Sequence, residues 1–365
     1  MKVGDYEVRK LTSKECTVVR YTGTSQEVTV PSDFNNLKPV RLGPSFLPKR
    51  NKVRAITLPP SVEEIDPEAF RDWKQLERLE AESKGLRAKD GILYDGSFRS
   101  LLFYPPMKEG REYIAPGTLR SIASTAFLAG TRLRSLVLPG SMEDLCFKAS
   151  DAPSLEDVYI EPGRHLKAED GVVYKGKILV FCPAGKKARH LRLREDCVRI
   201  EAELPPALRS LSVPSSLNEG LENVSGGLEE IDVDKGNPCY SALDSVLYST
   251  DGRLLTYPRL KGDSFFLVPG WVRRVEDGAF RGARVRTLVL SEGVKETGQE
   301  MIAGSAVETL VLPSTISHMD IRSLYGAGSL KQLWLTKGGY AEMYLSAMMA
   351  PFEMRFIAEN PCHHL

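Results

Sequence analysis

The sequence lacks the features of membrane, disulfide-stabilised and polyanion-binding proteins. Its six cysteines include no C-x-x-C pair, and a chain of 365 residues can bury a core without disulfides. No apolar run approaches the roughly 20 residues that a membrane-spanning helix needs. Basic and acidic side chains number 49 and 48, so no overall charge favours nucleic acid. We therefore expect reduced thiols, no membrane insertion and no nucleic-acid partner.

The first residues, MKVGDYEVRKLTSKE, lack the apolar core of a signal peptide. The chain as written is therefore predicted to be cytoplasmic. An extracellular or cell-surface location is the alternative, which applies if a signal peptide has been removed.

Sequence motifs of the common enzyme classes are also missing. The chain contains no G-x-S-x-G, P-loop, H-E-x-x-H or dinucleotide fingerprint. A thiol nucleophile at Cys182 or Cys146, paired with His190 or His165, is the open alternative. Cys182, however, stands where two related stretches have a tyrosine before proline. The tail Cys362–His364 has metal-ligating side chains without the fixed geometry of a site. We expect no enzyme, no metal and no cofactor.

Three related stretches organise the chain. They read KDGILYDGSFRSLLFYP from Lys89, EDGVVYKGKILVFCP from Glu169 and LDSVLYSTDGRLLTYP from Leu243. Alternating apolar residues flank the pairs Asp95-Gly96, Lys175-Gly176 and Asp251-Gly252. Because glycine tolerates the positive φ of tight turns, each stretch predicts a β-hairpin with its turn at that pair.

Shorter units lie between the hairpins and share one frame. RAITLPPSVEEIDPEAFRDWKQL (54–76), REYIAPGTLRSIASTAFLAGTRL (111–133) and DSFFLVPGWVRRVEDGAFRGARV (263–285) each contain an apolar strand, a proline and an Ala-Phe pair. A period of roughly 20 to 23 residues predicts one short strand and an irregular return per unit, with neighbours stacked to close the core. The sequence therefore predicts a solenoid rather than several independent domains.

The predicted organisation has three parts. Residues 1–30 form an N-terminal capping hairpin, and residues 31–338 form the solenoid, with hairpin units near 83–105, 161–183 and 236–258, one in every third repeat. Residues 339–365 form a C-terminal capping helix and tail. Tyr340, Met343, Tyr344, Ala347 and Met348 recur at helical spacing and are predicted to face the core.

These motifs resemble those of a known family. The frame L-P-x-x-V-x-x-I-x-x-x-A-F, as in Leu58-Pro59, Val62, Ile65 and Ala69-Phe70, and the Tyr-Pro that ends a hairpin at Tyr104-Pro105 resemble bacterial leucine-rich repeat proteins of the surface-antigen (BspA-like) type. The resemblance implies an α/β repeat fold that is mostly β: a right-handed leucine-rich-repeat solenoid with a parallel sheet of short strands, inserted β-hairpins and terminal caps. It also implies a scaffold that recognises a partner.

A solenoid lines up the outward side chains of its strands, which offers an extended surface to a partner. The candidate partner-binding residues are Thr57, Glu80, Tyr159, Asp232 and Trp334, with the two aromatic residues as anchors. For Trp334, packing beneath the C-terminal cap is the alternative. A second candidate surface is formed by the hairpin tips, Phe98, Arg99, Lys175, Lys177 and Arg253, which could instead only stiffen the array.

The predicted function is a non-catalytic protein–protein interaction module with a protein partner. The alternative is an exported cell-surface adhesin or glycan-binding protein, and an enzyme is the third interpretation.

Overall fold

A computed structural model describes residues 1–221, 224, 227–346 and 352–357. The fold is a mostly-β solenoid of about 15 turns with few helices. The chain divides into two compact units: Met1–Lys186 together with Glu201–Pro205, and Lys187–Ile200 together with Pro206–Leu365.

Short strands make up most of the first unit, with 3₁₀ turns at Pro67–Asp72 and Ala149–Asp151. The strands are β1 (Lys2–Val3), β2 (Tyr6–Lys10), β3 (Glu15–Tyr21), β4 (Glu27–Thr29), β5 (Lys38–Leu42), β6 (Ala55–Thr57), β7 (Glu64–Ile65), β8 (Arg78–Glu80), β9 (Leu86–Lys89), β10 (Ile92–Asp95), β11 (Ser100–Phe103), β12 (Glu112–Ile114), β13 (Ser121–Ile122), β14 (Ser135–Leu138), β15 (Asp144–Leu145), β16 (Asp157–Ile160), β17 (Leu166–Glu169), β18 (Val172–Lys175) and β19 (Ile178–Phe181).

The second unit continues the pattern and adds helix α1 (Tyr340–Ser346). Its strands are β20 (His190–Arg192), β21 (Arg199–Ile200), β22 (Ser210–Val213), β23 (Glu230–Val233), β24 (Tyr240–Leu243), β25 (Val246–Ser249), β26 (Arg253–Thr256), β27 (Phe265–Leu267), β28 (Arg274–Val275), β29 (Thr287–Val289), β30 (Glu296–Thr297), β31 (Thr309–Val311), β32 (His318–Met319), β33 (Gln332–Thr336) and β34 (Glu353–Ile357).

The plain repeats 54–76, 111–133 and 263–285 each supply two strands, not the one that the sequence predicts. In the first unit β12, β14 and β16 pair in parallel, and so do the two-residue strands β13 and β15. In the second unit β27, β29, β31 and β33 form one parallel ladder, and β28, β30 and β32 form another. We call the longer strands, which precede the proline, the main ladder and the two-residue strands the second ladder.

The repeat frame is confirmed by burial. The phenylalanines of the three Ala-Phe pairs, Phe70, Phe127 and Phe280, are 3%, 1% and 0% exposed. The aliphatic positions before them, such as Leu119 and Ile122, are also fully buried. Burying apolar surface on one side of every turn contributes about 25 cal/mol per Å², and each turn needs its neighbours to complete that burial.

Each related stretch forms a three-stranded antiparallel meander rather than a single hairpin. The meanders are β9–β10–β11, β17–β18–β19 and β24–β25–β26. Their first turns are Asp90-Gly91, Asp170-Gly171 and Asp244-Ser245, where both residues have positive φ, the requirement of a type I′ hairpin turn. These first turns were not predicted from the sequence.

The second turns lie where the sequence predicts them, with one correction. Gly176 and Gly252 have positive φ, at 59° and 91°. In the first meander, however, Phe98 adopts the positive φ of 54° and Gly96 does not. Gly96 is required for a different reason: a Cβ there would lie 1.8 Å from the carbonyl oxygen of Lys84.

The main ladder is interrupted at the meanders, so the predicted single parallel sheet is wrong. In the first unit it forms the sheets β4-β6-β8 and β12-β14-β16, and in the second unit β20-β22-β23 and β27-β29-β31-β33-β34. The backbone shows the cause at β8, where the N–H of Leu79 donates to the carbonyl of Gly91 at 3.0 Å. The turn of the meander therefore occupies an edge group of β8 that a further rung would use.

Strands β2 and β3 form an antiparallel pair within residues 1–30, and β3 continues in parallel to β5. Strand β4 also lies before residue 30, yet it pairs with β6 as a rung of the main ladder. The assignment of residues 1–30 as a cap, with its boundary, stays a prediction.

Helix α1 lies in the segment predicted to be helical, and its buried face agrees with the prediction in part, because Tyr340 and Tyr344 are partly buried and pack against the core cluster. Ala341 and Leu345 are buried in the same cluster as Leu333 and Leu335 of β33, whereas Met343 is 68% exposed. Two aliphatic residues four positions apart form the stripe that meets the core. The predicted positions Ala347 and Met348 lie outside the described residues. Strand β34, which was not predicted, pairs in parallel with β33.

Candidate interaction surfaces

The five predicted partner-binding residues occupy equivalent places on the main ladder. Thr57 is in register with Glu80, Tyr159 with Val137, Asp232 with Ser212, and Trp334 with Val311. On each strand the preceding residue is an aliphatic side chain that is at most 2% exposed. Since side chains alternate along a strand, all five face away from the core. Their role in binding stays a prediction.

An apolar row crosses the main ladder of the first unit. Ile114, Val137 and Tyr159 are in register on β12, β14 and β16, about 4.8 Å apart from strand to strand. Ile114 is 69% exposed and Tyr159 is 58% exposed, while Val137 is half-buried. We call these three residues the apolar row. Contiguous exposed apolar side chains are typical of interaction sites.

The sequence analysis selected Tyr159 but missed Ile114. Alignment of the repeats on their prolines could have found it, because Ile114 precedes Pro116 by two positions, as Thr57 precedes Pro59. On the same face, two positions earlier in each strand, lie Glu112, Ser135 and Asp157. Glu112 and Asp157 are exposed, so the apolar row has an acidic margin.

The corresponding row of the second unit is less available. It comprises Leu267, Val289, Val311, Trp334 and Arg355. Leu267 is 44% exposed, but Val289 and Val311 are only 2% and 9% exposed. The middle of this row is therefore buried, and the row offers no continuous exposed apolar strip.

For Trp334, the alternative of packing beneath the C-terminal cap stays a prediction, and its ring does contact strand β34 of that segment. The guanidinium carbon of Arg355, on the neighbouring strand, lies 5.4 Å from the ring centroid of Trp334, a cation–π contact. Helix α1 packs with Leu333 and Leu335, whose side chains point to the opposite face of β33.

Two of the predicted tip residues, Lys175 and Arg253, form ion pairs within the protein. The Nζ atom of Lys175 lies 2.5 Å from a carboxylate oxygen of Asp144. Arg253 pairs with Asp251 and Glu276, at 2.9 and 3.4 Å. These two contacts support a stiffening role at Lys175 and Arg253, and the role of the tips in partner binding stays a prediction.

The candidate nucleophile Cys182 has an environment that suppresses thiolate formation. Burial raises the pKa of its thiol to about 12, and the charge of Lys186 offsets this only in part. Since the thiolate is the reactive form, this raised pKa disfavours Cys182 as a nucleophile near neutral pH. His190 has a ring contact instead with Ser210, with 2.6 Å between Nδ1 and Oγ.

A metal centre finds no support in the described part of the chain. Residues 1–221, 224, 227–346 and 352–357 contain no cluster of three or more histidine, cysteine or carboxylate side chains that could hold an ion. The tail Cys362–His364 lies outside these residues.

Comparison with known families decides the classification. A family model described as the BspA type leucine rich repeat region matches six copies, over residues 43–163 and 264–346, more than half of the chain. The chain belongs to the BspA-type leucine-rich repeat family. The resemblance inferred from the sequence is thus confirmed.

Several solved structures are similar to this BspA-type chain. The pneumococcal vaccine antigen PcpA is 16% identical, with 92% of this chain and 81% of that chain covered and a TM-score of 0.37. A leucine-rich cell surface protein of Faecalibacterium prausnitzii is 15% identical, with coverages of 94% and 96% and a TM-score of 0.37. A leucine-rich repeat protein of Bacteroides ovatus is 14% identical, with coverages of 98% and 99% and a TM-score of 0.39. Similarity at this level says nothing about what this chain binds.

No curated protein matches the chain. Within the described residues, no helix combines the length and apolar character that crossing a bilayer requires.

Proposed function

We propose that this BspA-type chain is a non-catalytic protein-interaction module, with the apolar row of the first unit at the centre of its binding surface. The exposure of Ile114 and Tyr159, 69% and 58%, in register on one sheet face carries the proposal. Tyr159 is an exposed aromatic residue, and tyrosine is one of the residue types that contribute most of the binding energy at protein interfaces. A hydrophobic side chain left exposed in a row gains most by being covered.

The surroundings of the row indicate the chemistry of the partner. Glu112 and Asp157 lie beside it on the same face, and Glu161 follows β16 as another exposed carboxylate. A partner with an apolar centre and a basic margin complements such a surface and avoids like-charge contacts. Thr57, Glu80, Asp232 and Trp334 are proposed as secondary contacts on other stretches of the main ladder.

The proposal takes the solenoid to be right-handed, as crossovers between parallel strands of one sheet nearly always are. It also takes the meanders to recur in every third repeat. Under that arrangement, the exposed rows are short stretches separated by meanders. The binding surface then reads a compact segment of a partner rather than one long continuous strand.

The test is capture of a partner from extracts of the native source with the full chain as bait. Ile114→Ser/Tyr159→Ser should lose the protein that the wild-type chain captures, because the apolar centre is removed. Ile321→Ser/Tyr325→Ser is the matched control: it changes the same residue types, which are 72% and 68% exposed, away from the main ladder. Circular dichroism should give the same melting temperature for all three chains.

The identities of the captured proteins decide the result. Loss in the Ile114/Tyr159 variant with retention in the control supports the apolar row. Two outcomes contradict a role of the apolar row: both variants capture the protein as the wild-type chain does, or only the Ile321/Tyr325 variant loses it.

A further inference from the structure

A basic cavity lies in the first unit, apart from the apolar row. Its volume is about 490 Å³, and five basic side chains line it: Lys49, Arg50, Lys52, Arg54 and Lys74. The one acidic side chain in its lining is Asp72. The chain as a whole has 49 basic and 48 acidic residues, so this is a local charge excess that the composition does not reveal.

The loop that carries most of these cations is fixed to the body of the protein. Phe46 and Leu47 before the basic residues and Val53 after Lys52 are at most 2% exposed. These buried side chains anchor the loop on both sides. Between them, the Nδ2 atom of Asn51 donates to the carbonyls of Pro48 and Asp72, at 2.8 and 2.9 Å. The Oδ1 atom of Asn51 accepts from the N–H of Val53 at 3.1 Å. The backbone of the site is therefore pre-organised, which lowers the entropic cost of binding.

Internal ion pairs do not account for the cluster. Arg54 is paired with Glu77. Lys49, Arg50, Lys52 and Lys74 are exposed, and no carboxylate of the described residues lies within ion-pair distance of any of the four. Like charges gathered in one concavity raise the local positive potential and attract anions.

We propose that this cavity binds a small, multiply charged anion: a sugar-sized molecule that carries phosphate or sulfate groups. Lysine and arginine side chains supply charge-assisted hydrogen bonds to such oxyanions. Gln26 and Gln75 also line the cavity, and side-chain amides can both donate to and accept from hydroxyl groups. The volume lies within the range of about 300 to 1,000 Å³ that small-ligand sites occupy.

The confinement of the charge argues against a nucleic acid as the ligand. Nucleic-acid surfaces present basic residues along an extended stripe or face, which follows a phosphate backbone. Here the unpaired cations come from one loop and from Lys74, which directly follows the buried Trp73. This inference does not rest on the proposed protein-interaction role, since none of its residues belongs to the apolar row.

Isothermal titration calorimetry of the full chain tests the site with three probes. They are inositol hexakisphosphate, a trisulfated heparin disaccharide and uncharged sucrose. We expect a saturable heat with at least one charged probe, none with sucrose, and weaker binding as salt rises.

Lys49→Gln/Lys52→Gln/Lys74→Gln should weaken that binding by about tenfold or more, since each charge-assisted hydrogen bond contributes strongly. The control makes the same change in net charge at three exposed lysines elsewhere: Lys167→Gln/Lys177→Gln/Lys235→Gln. It should retain wild-type affinity. Whichever charged probe binds identifies phosphate or sulfate as the recognised group.

Two results would overturn the inference. One is the absence of saturable binding by both charged probes at millimolar concentration. The other is an equal loss of affinity in the control, which would show that the probe responds to net charge and not to the cavity. Neither result bears on capture of a protein by the apolar row.

Discussion

Replacing Phe127 by alanine tests whether the repeat frame builds the core. Phe127 is 1% exposed, and its ring centroid lies 4.7 Å from that of Phe147 and 6.1 Å from that of Tyr104. Removing a buried phenylalanine side chain costs about 3 to 5 kcal/mol. Tyr104 and Phe147 are themselves only 2% and 4% exposed, so close packing limits how far they can move into the gap. We expect a loss of about 4 kcal/mol.

Urea denaturation followed by circular dichroism measures this loss. Phe265→Ala is the matched control, because it makes the same change at a side chain that is 42% exposed. We expect it to cost about 1 kcal/mol or less. A loss for Phe127→Ala no larger than that of the control would refute the assignment of the Ala-Phe pair to the core.

Three further predictions concern a turn, the thiols and an acidic group. Gly91→Ala should lower the free energy of unfolding by about 1 to 3 kcal/mol, because Gly91 has φ +78° and a Cβ would lie 3.0 Å from a side-chain atom of Arg78. Thermal melts measure this loss. In the same melts Gly117→Ala should be near neutral, because a Cβ at Gly117 meets nothing within 4 Å. At pH 8 a thiol reagent should label the exposed Cys146 in the folded chain and leave the buried Cys182 unlabelled, as read by peptide mass spectrometry; equal labelling would contradict the burial. Hydrogen bonds from Lys261 and then Tyr257 hold the pKa of Asp263 below its usual value. The ionised Asp263 therefore stabilises the fold at pH values above the unfolded pKa of about 3.9. This stabilisation is lost as pH falls through the lower pKa of the folded state. Asp263→Asn should therefore make stability less dependent on pH below about pH 4, and an unchanged acid limb would contradict this linkage.

The inward-facing positions could be predicted from the sequence because their spacing is regular. Val62, Phe70 and Phe127 are all buried, as the apolar positions of the repeat frame indicate. An apolar residue recurs at one position of the repeat because each turn makes the same core contact with its neighbours. Family membership followed from the same residues.

The second ladder and the turn at Asp244 could not be predicted in the same way, whereas the other two first turns, Asp90-Gly91 and Asp170-Gly171, carry the Asp-Gly pair that is typical of hairpin turns. A strand such as Ser121–Ile122 has two residues, which is too short to show alternation. The turn Asp244-Ser245 contains no glycine, yet both residues adopt positive φ. Asn and Asp tolerate that region, but a serine there gives no turn signal in the sequence.

The candidate surfaces were predicted only in part, because exposure depends on neighbouring strands. Val311 and Tyr159 occupy equivalent positions in the repeat, yet Val311 is 9% exposed and Tyr159 is 58% exposed. The basic cavity was missed for a similar reason. Lys74 follows Lys52 by 22 positions, about one repeat, so the period places them on neighbouring turns, but that their side chains line one concavity is seen only in the fold.

Site-specific photocrosslinking shows whether a partner contacts the apolar row. A photoreactive phenylalanine analogue placed at Tyr159, in the apolar row, is compared with the same analogue at Tyr325, which is also exposed, at 68%. We expect the captured partner to crosslink from position 159 and not from position 325. Crosslinking from position 325 alone, with none from position 159, would contradict it.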